Sequence, residues 1–141
     1  MNTTIVLAEW KRATDGLGAA QSCRRDGFHA DAVSRAYYAI LHAAKAALQV
    51  HGISAESHAA VKRLFGLHLV RTGEIEAEWG TFAGESLDAR LTADYDVETS
   101  FSEEDAREEY DRAAAFLTRI RQFPQASGVR QEELRAEVLD G

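Results

Sequence analysis

Arg35, Tyr38 and His42 lie on one side of a helical run and offer a cation, a phenol and an imidazole. Helix positions seven apart point nearly the same way, so Arg35 and His42 are expected roughly 10 Å apart along the axis, with Tyr38 between them. Two further groups could do chemistry: Ser57 beside His58, and Arg90 with Asp94 and Tyr95. Metal-free cleavage of RNA needs a base for the ribose 2′-hydroxyl, an acid for the leaving oxygen and a cation on the scissile phosphate. Arginine and histidine can fill those roles. Arg90, His42 and His58 are therefore the candidate catalytic residues, and Arg35, Tyr38, Ser57, Asp94 and Tyr95 are candidate contacts to a bound phosphate or nucleotide. Each group also has an ordinary structural use: a solvated face or dimer contact for Arg35 and His42, a helix cap for Ser57, an i,i+4 ion pair for Arg90 and Asp94.

Other constellations fail on spacing. His29, His42, His51, His58 and His68 contain no pair four residues apart, so a helical zinc site is not expected, and no cofactor is implied. No phosphate-cradling glycine loop follows a strand, and no nucleophile-elbow serine occurs. Cys23 is the single cysteine, which excludes an internal disulfide and fits a reducing compartment.

The elements that must hold these residues read as helices throughout. Pro124 is the one proline, and β-branched residues are sparse, so long helices are unobstructed before it. A first helix is expected from about Thr4 to Arg25, with Leu7, Trp10, Leu17 and Ala20 inward and Gly27 as its stop. A second runs from about Ala30 to Val50, stopped by Gly52. Its inner face is Val33, Ala36, Tyr37, Ile40, Leu41, Ala44, Ala47 and Leu48, and its outer face Asp31, Arg35, Tyr38, His42, Lys45 and Gln49. Ser54 or Ser57 can cap a third helix that turns Val61, Leu64, Phe65, His68 and Leu69 inward and ends at Gly73.

A fourth helix is expected between about Glu74 and Tyr95, with Ile75, Trp79, Phe82, Ser86, Ala89 and Ala93 in one stripe and Arg90 and Asp94 at its edge. Ser102 to Asp105 resembles a capping box opening a fifth, along which Ala106, Tyr110, Ala113, Leu117 and Ile120 recur. The expected fold is all-α: an up-and-down four-helix bundle with a fifth helix over residues 1–123, then a polar tail over 124–141.

The 141 residues, 45% of them hydrophobic, suit one core. The net charge of -7 argues against a nucleic-acid binder, yet it divides unevenly. Residues 1–72 carry nine Lys/Arg against five Asp/Glu, residues 73–141 seven against eighteen, and all five histidines lie in the first half. A basic surface can thus coexist with an acidic one. The N-terminus lacks a basic leader followed by an apolar run, and no 18-residue apolar stretch occurs, so a cytoplasmic location without a membrane span is expected.

The run Ser34-Arg35-Ala36-Tyr37-Tyr38-Ala39-Ile40-Leu41-His42, then Ser57-His58, Phe65, Thr72-Gly73 and Arg90-Leu91-Thr92-Ala93-Asp94-Tyr95, resembles the HEPN family of small helical proteins over about residues 4–122. It looks most like the UPF0332-like prokaryotic branch. The resemblance implies a helical bundle, a homodimer, and a small nucleotidyltransferase partner in a toxin-antitoxin or defence-like system. Catalytic members are metal-independent ribonucleases with an Arg-x4-6-His motif on a late helix. In this chain Tyr95 follows Arg90 where that histidine would fall, so the cation carries over and the base does not. Tyr95 is instead a candidate acceptor for nucleotidylation by the partner. Arg35 and His42 meet the motif's spacing, but on the second helix. An alternative from another class is a non-catalytic interaction module, in which Arg35, Tyr38 and His42 form a protein interface.

Overall fold

A computed structural model describes residues 2–123, which form α1 (Thr3–Arg25), α2 (His29–Val50), α3 (His58–Phe65) continued by one π-helical turn (Gly66–Val70), α4 (Ala77–Tyr95) and α5 (Glu103–Gln122). The expected polar tail, 124–141, lies outside the described residues. No strand occurs among the described residues, and the fold is an all-α bundle.

Each helix boundary has a local cause. Asn2, Ser57 and Ser102 cap α1, α3 and α5 by accepting from the amides of Ile5, Ala60 and Asp105, and the Asp105 carboxylate in turn accepts from the Ser102 amide. Of the two serines expected to compete for the third helix, Ser57 does the capping, while Ser54 accepts from Gln49 of α2. Gly27, Gly52 and Gly73 all take φ between 71° and 83°, the left-handed conformation that ends a helix without Cβ strain.

α2 is the centre of the molecule and packs against α1, α3, α4 and α5. Its inner face is buried as expected, apart from half-buried Leu41. Ala32, Ala39, Ala43, Ala46 and Val50 are buried as well, so the helix is covered on nearly every side. Small side chains permit this: a Cβ on Gly16 of α1 would come within 3.2 Å of the Ala39 amide nitrogen. What stays open is the strip Asp31, Arg35, Tyr38, His42, Lys45 and Gln49, exposed or half-buried between α1 and α4.

Side-chain pairs give the directions. Glu9 meets His42 and Gly16 meets Ala39, so α1 and α2 are antiparallel. Tyr38 meets Arg90, Ser34 meets Asp94, and on the far side Ser86 and Glu76 of the α4 region meet Glu109 and Arg119 of α5. These pairs also run in opposite order.

Two element readings need correction. The third helix does not run evenly to Gly73, because the ladder widens to a π turn at Gly66–Val70; that register buries Leu69 and leaves Leu67 exposed. The fourth begins at Ala77, not Glu74. Residues before it are drawn to α5: Arg119 donates to the Glu74 carbonyl and grips the Glu76 carboxylate, while Ile75 is buried in the core. Within α4 only Ser86 of the expected stripe is fully buried, Trp79 and Phe82 pack half-buried against the core, and Ala83, Leu87 and Arg90, outside that stripe, meet α2 as well.

Candidate functional site

Three helices converge on Arg90. Its Nη2 donates to the Tyr38 hydroxyl at 2.8 Å, and its Nε lies 2.8 Å from Asp94 Oδ2, one helical turn along α4, in an ion pair too bent to count as an aligned hydrogen bond. The second Asp94 oxygen accepts from Ser34 of α2. The guanidinium carbon also sits 5.3 to 5.9 Å from the ring centres of Tyr38, Tyr37 and Tyr95. Burial works against the Arg90 charge, but Tyr38, Asp94 and Tyr95 outweigh it and raise its pKa above the usual value. The cation is permanent and its direction is set by groups on two helices.

His58, the first residue of α3, joins this cluster through Tyr37. The Tyr37 hydroxyl and His58 Nδ1 are 2.6 Å apart. Tyr37 is buried, and desolvation pushes its pKa up to about 12, so it remains a phenol. Burial, helped by the charges of Arg90 and Lys45, lowers the His58 pKa and favours the neutral ring. A neutral ring whose Nδ1 accepts the phenolic hydrogen carries its own proton on Nε2.

His42 stands apart from that cluster on the same α2 strip, one turn beyond Tyr38. Its Nδ1 lies 2.7 Å from Glu9 Oε2, and the other Glu9 oxygen is 3.8 Å from Lys45 Nζ. Arg35, a turn to the other side of Tyr38, is exposed and has no described partner. Ser57 is occupied as the α3 cap. Tyr95 is 72% exposed, with the Arg90 guanidinium carbon over its ring, 5.9 Å from the centre.

Of the sequence-derived candidates, then, Tyr38, His58, Arg90, Asp94 and Tyr95 come together, His42 and Arg35 flank them along α2, and Ser57 faces its own helix. Sequence reasoning missed Tyr37, Ser34 and Glu9. Ser34 sits at a buried position of α2, a polar residue among apolar ones, which is a usable signal. Glu9 carries none, since its partner is 33 residues away. Among the described residues no cluster of three or more potential metal ligands occurs, and no helix is long and apolar enough to cross a membrane.

Comparison with known proteins bears on the family of the chain. The HEPN domain model matches residues 7–123. A Methanocaldococcus jannaschii protein named "Putative toxin MJ0605" is 38% identical over 109 residues, 77% of this chain and 81% of the relative. A UPF0332 protein of Thermotoga maritima is 30% identical over 116 residues, 82% of this chain and 88% of the relative, and one of Pyrococcus horikoshii is 41% identical over 83 residues, 58% of each. With five α-helices among the described residues and a family match across nearly all of them, the chain belongs to the HEPN family.

Proposed function

We propose that this chain is a toxin-like HEPN protein that binds RNA or a nucleotide at the Arg90 cluster and cuts RNA there without a metal. The observation that carries the reading is Arg90 itself: a guanidinium fixed by Tyr38 and Asp94, ringed by three tyrosines, beside a strip of α2 that adds Arg35, His42 and Lys45. Fixed cations stabilise the charge that builds on a phosphate in the transition state, and exposed aromatic rings stack bases. Two relatives that carry toxin names support the same reading.

The family resemblance adds a homodimer and a separately encoded small nucleotidyltransferase as partners, with Tyr95 as the acceptor. Its 72% exposure supports that role for Tyr95. The test is a metal-free cleavage assay on purified protein, with Arg35→Ala, His42→Ala, His58→Ala and Arg90→Ala beside the parent. Arg90→Ala should lose the most. Equal residual cleavage in all four would remove the enzymatic claim.

A second reading has one observation of its own. Leu91, Tyr95 and Val97 are exposed apolar groups at the end of α4, which suits a protein contact. Salt separates the two, because phosphate binding weakens steeply as salt rises and an apolar contact does not.

A further inference from the structure

His58, in the Arg90 cluster, and His42, on the neighbouring strip of α2, meet hydrogen-bond partners of different kinds. At His58 the ring nitrogen Nδ1 faces a phenol that can donate to it, and a neutral ring accepting there presents an N–H at Nε2. At His42 the same nitrogen faces the Glu9 carboxylate, which can only accept, so Nδ1 carries the hydrogen. The Nε2 of a neutral His42 is left with a free lone pair and has no described partner. The His42 and Glu9 side chains are 21% and 22% exposed, neither sealed in the core nor free in solvent. Lys45 Nζ lies 3.8 Å from the other Glu9 oxygen, a loose ion pair.

We infer that His42 is the proton-transfer residue of this RNA site and that Glu9, from α1, is its positioning residue. The assignment rests on the reading of the Arg90 cluster as an RNA site. His42 Nε2 takes the proton of a ribose 2′-hydroxyl. The 2′-oxygen bonds to phosphorus, the bond from phosphorus to the 5′-oxygen breaks, and the imidazolium hands the same proton to the departing oxygen, leaving a 2′,3′-cyclic phosphate and a 5′-hydroxyl. Arg90 and the Nε2–H of His58 act on the non-bridging phosphate oxygens. Sharing one strip of α2 puts His42 a single turn from Tyr38, which holds the Arg90 guanidinium.

The full chain is assayed on a single-stranded RNA oligonucleotide in excess EDTA, with two-bond 1H–15N spectra recording each histidine tautomer. His42→Ala should lower kcat about 100-fold or more. Glu9→Ala should lower kcat roughly tenfold or more with KM little changed, and Glu9→Gln, which keeps an acceptor oxygen, should recover much of it. In the parent, His42 should carry its proton on Nδ1 and His58 on Nε2; Glu9→Ala should mix the tautomers of His42 alone. Parent-like kcat in His42→Ala and Glu9→Ala, with cleavage lost in Arg90→Ala, overturns the His42 assignment and leaves the RNA site standing. An Nε2 proton on neutral His42 in the parent overturns it too. A parent protein that cuts no RNA ends both.

Discussion

Arg90 is the residue on which most of the cluster depends. Replacing it with alanine leaves Asp94 and Tyr38 without their common partner, and we expect a loss of about 1 to 3 kcal/mol in urea unfolding. Arg90→Lys keeps the charge but lacks the planar fork that reaches Tyr38 and Asp94 together, so RNA affinity should still fall. His58 offers a pH test. Its folded pKa is lowered, so below about 6.5 the unfolded chain binds the proton more readily and stability drops as pH falls through that value. His58→Gln should flatten the melting temperature between pH 7 and pH 5.5 relative to the parent.

The helices show how far periodicity reaches and where it stops. All five were legible, three with the correct glycine stops, because apolar spacing and capping are local properties. α4 was the least legible. Its packed side includes Arg90, a residue that a hydrophobic pattern sets at the edge of the apolar stripe. In α1, two glycines of equal propensity have unequal tertiary roles. A Cβ at Gly18 meets nothing within 4 Å, so Gly18→Ala should stabilise by about 1 kcal/mol, a rise of roughly 3 to 5 °C in Tm. Gly16→Ala meets the Ala39 backbone at 3.2 Å and should gain less or lose. Calorimetry of the two variants separates propensity from packing.

For the whole molecule, the clasp between α5 and the segment entering α4 sets acid tolerance. Arg119 and Trp79 hold the Glu76 carboxylate and lower its pKa to about 2. A lowered carboxylate pKa means stability that is present above the unfolded value near 4.5 and lost as pH falls toward 2. Glu76→Gln should therefore melt lower than the parent at pH 7, with the gap closing by about pH 2. Residues within one helix turn fixed the local structure of this chain: where helices start and stop, which face of α2 is apolar, that Arg90 and Asp94 pair. Which polar residues meet was decided only by tertiary packing. The Tyr37–His58, Tyr38–Arg90, Ser34–Asp94 and Glu9–His42 pairs span 21 to 60 residues, and their register depends on how closely the alanine-rich sides of α2 let its neighbours approach, a sum over many weak contacts that no single stretch of chain contains.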